Sequence, residues 1–271
     1  MHNPELPADY KYVVIRVKAR AGDEAAIKAL DNLDFILGLW NLSLNYSRGR
    51  PIYFEANKQK PINQIVKGPL HTLHQSDGSP LLQNLYYYET DYYRPVESYF
   101  PATFQRIRVF ETRVKKRVNL NLKWGARIKN AIIRYTRALE KNVHTNSFLE
   151  LWTILEDLTS TSFKENYEVT IRRIGSLYKE TELYRGFVNY IRHRRNTLVH
   201  KSEFNVHPTN ITYELKEYVE NLILYHITAI KSLNNFNEAI QYLDLPYNET
   251  AIKKRINLMK LYYKNRFGRN R

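Results

Sequence analysis

From Pro101 onward the chain carries very little glycine or proline and sets its apolar residues at helical spacing. A backbone with so few breaks has few alternatives to helix, because turns and sheet edges need residues that relax or fix φ. Trp124, Ile128, Ile132, Tyr135 and Leu139 fall on one face, with Lys123, Arg127, Arg134, Arg137 and Lys141 off it. Phe148, Leu151, Trp152, Leu155 and Leu158 repeat the pattern, and Asn146-Ser147 offers that helix a cap. Tyr184, Phe187, Val188 and Ile191 predict a further helix; Leu215, Val219, Leu222, Ile223 and His226 predict another after Pro208. Residues 102–118 read as a basic helix and Ala251 to Phe267 as a basic tail helix. These spacings predict a helical domain over 101–271.

The first hundred residues read differently. Alternation over Tyr10 to Ala19 predicts a strand. Gly22-Asp23-Glu24 starts a helix through Ala26, Leu30, Leu33, Ile36, Leu37, Trp40 and Leu44. Residues 65–74 and 81–89 suit a hairpin around Ser76-Asp77-Gly78-Ser79. The expected fold class is therefore α+β, with a smaller mixed α/β lobe over 1–100 before the helices. The tyrosine run from Tyr86 to Tyr93 could stack bases, but with 22 tyrosines in the chain it suits ordinary packing as well.

Charge is unevenly distributed. The net +15 gathers in residues 101–143, with 12 basic and 2 acidic side chains, and in residues 251–271, with 8 basic and none acidic. Such asymmetry points to an anionic partner, nucleic acid before a membrane surface. Candidate RNA-binding cations are Arg106, Arg113, Lys115, Lys116, Arg117, Lys123, Arg127 and Arg134. A basic helix can also be only a solvated face, and the tail only a solvated end. The absence of cysteine removes thiolate chemistry, and the N-terminal residues lack the pattern of a signal peptide, so a cytoplasmic protein off the membrane is expected.

One short stretch carries chemistry. Arg194-Arg195-Asn196-Thr197-Leu198-Val199-His200 sets fixed cations beside an amide and an imidazole. Cations that hold a phosphate next to a group that moves protons near neutral pH are what metal-free RNA cleavage needs. With 22 Arg and 8 His, one Arg-x4-His is expected roughly 0.65 times by chance; requiring Asn after the Arg lowers that to roughly 0.06. Arg195 and His200 stand about 140° apart on an ideal helix, so a working site would be helped by a bend or a second chain. Cations near a helix C-terminus can also serve only its dipole.

The Arg195-Asn196-x3-His200 pattern, with the helices around it, resembles the HEPN superfamily over about residues 120–240, and within it the Apea-like group. That resemblance implies a helical bundle, a homodimer with a composite site, no cofactor, and metal-independent endoribonuclease activity, often in toxin or anti-phage systems. It carries over Arg195, Asn196 and His200 as catalytic residues, with Glu156 as a looser match; Arg192 and Arg194 stand beside them as cations able to neutralise charge on a phosphate. An inhibitory or activating protein partner is a further expectation. The family branch paired with nucleotidyltransferases has Tyr two residues after its motif His, where this chain has Ser202. A non-catalytic nucleic-acid-binding or assembly protein is the alternative reading.

Other chemistries have less support. His71 and His74 form H-x2-H without a second ligand cluster, and no metal site is expected. Phosphate-loop, dinucleotide-binding and nucleophile-elbow signatures do not occur.

Overall fold

A computed structural model describes residues 13–46, 60–81, 86–88, 101–162, 165–201 and 208–268; for Tyr86, Tyr88, Pro101, Ala102, Val199, His200, Lys201 and Pro208 it describes the main chain only. In chain order the described elements are α1 (Gly22–Asn45), β1 (Leu70–Thr72), β2 (Tyr86–Tyr88), α2 (Pro101–Val118), α3 (Leu122–Glu140), α4 (His144–Thr159), α5 (Tyr167–Gly175), α6 (Thr181–Lys201), α7 (Pro208–Ala229), α8 (Phe236–Leu243) and α9 (Glu249–Phe267).

Four of these helices begin on an asparagine whose side chain accepts a main-chain N–H: Asn121 from Trp124, Asn166 from Val169, Asn235 from Glu238 and Asn248 from Ala251. Each cap satisfies one of the donors that a helix start leaves open, worth about 1 kcal/mol. α4 departs from expectation. It starts at His144, ahead of Asn146-Ser147, and Val143 at its N-cap gives no side-chain cap.

The bundle forms around α4, which packs on α7 and α3, while α1 lies along α3 and α2. The apolar stripes read from the sequence in α3, α4 and α7 are buried throughout, with Trp124, Trp152, Tyr135 and Phe148 the largest enclosed side chains. Burial of each such side chain contributes about 2 kcal/mol. Two glycines permit the close approaches. A Cβ on Gly38 would stand 2.3 Å from Thr136 Oγ1, where α1 crosses α3. One on Gly125 would stand 1.7 Å from the Val118 carbonyl oxygen, where α3 leaves the turn after α2.

The separate α/β lobe expected before residue 100 is not what the described residues form. Phe35, Leu39 and Leu42 of α1 belong to the same core as α3, α4 and α7. Ions lock this region down: buried Asp34 binds Lys67 Nζ and accepts from Arg137 Nε at 2.6 Å, and Lys67 also meets Glu140 at 2.9 Å. Asn41 adds three bonds to residues 64 and 65. The expected strand over 10–19 is not a strand in its described part, residues 13–19, where Val13 and Val14 are exposed. Alternation alone does not supply a pairing partner. The hairpin does form, with Leu70 opposite Tyr88, His71 opposite Tyr87 and Thr72 opposite Tyr86. Gly78 at φ 90° makes its turn, and Leu81 N–H returns to the Leu73 carbonyl.

The core also encloses a polar cluster. Glu220, almost wholly buried on α7, accepts a hydrogen bond from the Tyr135 hydroxyl and pairs with Lys216 at 2.8 Å. Burial raises both the Glu220 carboxyl and the Tyr135 phenol above their ordinary values.

Candidate functional site

Arg195 occupies an inward position of α6. Val188, Ile191 and Leu198 of that helix are buried, and 188, 191, 195, 198 follow a 3-4-3 spacing that sets Arg195 on the face turned to the bundle. Its guanidinium Nη1 donates to the Tyr167 hydroxyl at 3.1 Å and to Asn196 Oδ1 at 3.3 Å, and its Cζ lies 5.5 Å from the Tyr167 ring centroid. No carboxylate among the described residues pairs with it.

Three helices build this support. Asn166 caps α5 and so fixes Tyr167 at its first turn, and α5 packs along α6. Behind Tyr167 stands Trp152 of α4, ring centroids 6.2 Å apart. Trp152 donates its Nε1–H to Glu156 Oε1 at 2.8 Å. Glu156 therefore bears on Arg195 through two aromatic rings rather than by a direct ion pair. Tyr167 was not among the residues singled out in the sequence. Its link to Arg195 depends on how α5 meets α6, and the one local signal is the Asn166 cap before it.

The neighbouring arginines differ in how far their charge is already engaged. Arg192 pairs with Glu168 at 2.9 Å and donates from Nη2 to His193 Nε2 at 3.2 Å. Arg194 instead turns outward, donating to the Tyr190 hydroxyl at 3.0 Å with its Cζ 4.9 Å from that ring centroid. Asn196 Oδ1 accepts from the Arg195 guanidinium. His200 has its main chain in the last turn of α6, and its side chain lies outside the described residues.

The basic segment 101–143 divides into two parts. On α3, Arg127 Nη2 binds the Asp157 and Ser160 carbonyls at 2.5 and 3.1 Å and stacks 3.9 Å over Phe236. Arg134 Nε meets Glu150 at 2.7 Å, and Arg137 meets Asp31 and Asp34. Arg127 and Arg134, read as RNA-binding candidates, thus spend their donors on the fold. On α2, Arg117 reaches the Ile227 carbonyl at 3.3 Å, Arg106 the Ser43 carbonyl at 3.2 Å, and Lys115 pairs with Glu111. Arg113, Lys116 and Lys123 are exposed.

Two histidines are structural. His226 accepts the Trp124 indole N–H at Nδ1 and donates from Nε2 to the Leu158 carbonyl, and burial lowers its pKa to about 4. His144 is held between Lys60 O and Thr209 Oγ1, and burial lowers it too. In the hairpin, His74 spends both ring nitrogens on Gly78 O and Thr72 Oγ1. Among the described residues no group of three or more His, Asp or Glu side chains is placed to hold a metal ion. Of the tyrosine run, Tyr87 is exposed and stacks on His71 at 5.9 Å; the residues from Glu89 to Tyr93 lie outside the described residues.

No helix among the described residues is long and apolar enough to cross a membrane. Comparison with known proteins finds no matching family model, no matching curated protein and no matching solved structure.

Proposed function

We propose that the chain is a metal-independent endoribonuclease of the HEPN type, acting as a homodimer in the cytoplasm in a toxin or anti-phage role. The observation that carries this reading is Arg195: a half-buried guanidinium hydrogen-bonded to Tyr167 and Asn196, with no carboxylate partner among the described residues, on the helix that also bears His200. A buried cation normally has an anion beside it. Leaving that place open suits an anion that arrives with substrate, and a scissile phosphate fits.

In this mechanism His200 removes the proton of a ribose 2′-OH, and the 2′-oxygen attacks the adjacent phosphorus. The bond to the 5′-oxygen breaks, and that oxygen takes up a proton, leaving 2′,3′-cyclic phosphate and 5′-OH ends. Arg195 and the outward Arg194 neutralise charge on the phosphoryl oxygens. The exposed row Leu183, Phe187 and Tyr190 on α6 leads to Arg194 and suits contact with the same helix of a second copy. Such a pairing would bring the Arg194 side chains of two copies together.

Incubating labelled RNA with the protein in EDTA tests the reading. Cleavage that persists in chelator and disappears in both His200→Ala and Arg195→Ala is expected; intact RNA with the wild-type chain sinks it. A second reading, nucleic-acid binding without turnover, draws on the exposed cations Arg113, Lys116 and Lys123. It wins if binding survives both motif substitutions and is lost when those three cations are neutralised.

A further inference from the structure

No residue of α9 is buried, although the helix spans Glu249 to Phe267 and exposes several large apolar side chains. An uncovered helix of this length is marginal in water unless something packs on it. Ile252, Ile256, Met259 and Tyr263 recur at 4-3-4 spacing and so form one seam of the two-helix kind. The positions flanking that seam carry Lys253, Arg255 and Lys260; Lys253 pairs with Glu249 at 2.6 Å, while no carboxylate among the described residues pairs with Arg255 or Lys260.

We infer that α9 is a docking helix for a partner protein that presents an acidic amphipathic helix. The charges select this occupant. If two copies of α9 paired, flanking cations would face cations in either parallel or antiparallel order, which disfavours self-association. A partner with Glu or Asp beside its apolar seam turns the same contacts into attraction. A lipid surface fits less well, because Leu261 lies on the opposite side from the seam, where a helix in the membrane plane keeps polar residues. Phosphates would engage the cations but leave Ile252, Ile256 and Met259 in water.

The full chain, titrated against fluorescent probes, tests the assignment. The probes are a designed helix of about three heptads with Leu at its seam and Glu at its flanks, a twin with Lys at the flanks, phosphatidylserine vesicles and single-stranded RNA. The acidic helix is expected to bind at least about tenfold tighter than the twin. Ile256→Asp with Met259→Asp should abolish that binding, and Arg255→Glu with Lys260→Glu should transfer the preference to the Lys twin. Circular dichroism should show the bundle unchanged, since these side chains lie outside the core. Equal binding of both helices, binding of neither, vesicles or RNA alone engaging α9, or a dimer that Ile256→Asp dissociates would each overturn the inference.

Discussion

Helices α3 and α6 are both rich in arginine, and the structure spends those arginines in opposite ways. On α3, Arg127, Arg134 and Arg137 meet carboxylates or carbonyls of α1, α4 and the turn after it. On α6, Arg195 meets a phenol and an amide, and Arg194 a phenol. Charge density alone does not separate the two. What separates them is whether an anion is already supplied: α3 is a set of ties between helices, whereas Arg194 and Arg195 of α6 pair with no carboxylate among the described residues. Arg185 and Arg192, also on α6, pair with Glu182 and Glu168, so the contrast rests on Arg194 and Arg195.

The sharpest break of this contrast sets activity against stability. Arg195→Ala should lower RNA cleavage about a thousandfold, the scale of losing one donor to a transition-state oxyanion, and shift the denaturation midpoint little. Asp34→Ala should do the reverse. It leaves Lys67 with Glu140 and Arg137 with Asp31 as their remaining partners and should cost about 1–3 kcal/mol in urea denaturation, while the surviving folded fraction keeps its specific activity.

Acid sharpens the structural side. His226 stays neutral in the native state down to about pH 4, whereas the unfolded chain protonates it near its ordinary value of 6.5. Between those two pH values the unfolded state holds more protons. Its contribution to stability is therefore complete above pH 6.5 and declines toward pH 4, by about 3 kcal/mol in all. Urea denaturation at several pH values should show this slope, and His226→Gln should flatten it.

Smaller effects probe the support around Arg195. Tyr167→Phe keeps the ring and removes the hydroxyl, so cleavage should fall about fivefold, near the worth of one hydrogen bond, with the fold retained. Neutralising Arg113 and Lys116 together should leave stability unchanged and reduce the salt dependence of RNA binding, by about 0.7 in slope per lost phosphate contact.

Much of the bundle was legible because α3, α4 and α7 each announce a buried stripe. Tyr135 and Leu139, or Leu151 and Leu155, need no knowledge of their neighbours to be placed inward. α5 and α8 are short, and their stripes were too brief to stand out. The boundary expected near residue 100 dissolved for a different reason: Lys67, Asp34 and Arg137 join distant segments, and local periodicity carries no trace of such ties. The strand expected at the N-terminus rested on alternation alone, and residues 13–19 find no pairing partner among the described residues. Within the site, Val188 and Ile191 of the expected stripe are buried, while Phe187 of the same stripe is exposed. Tyr167 was not legible, because its position follows from helix packing. The basic run 101–143 misled by adding together cations with different partners.

The account turns on whether Arg195 receives a phosphate undergoing 2′-OH attack. A random-sequence RNA pool and its 2′-O-methylated counterpart, each incubated with the protein in EDTA, test this most directly. The account predicts that the RNA alone is cut, leaving cyclic phosphate and 5′-OH ends, and that Arg195→Ala leaves it intact. Cleavage of the methylated pool, cleavage undiminished by Arg195→Ala, or no cleavage of either pool would contradict it.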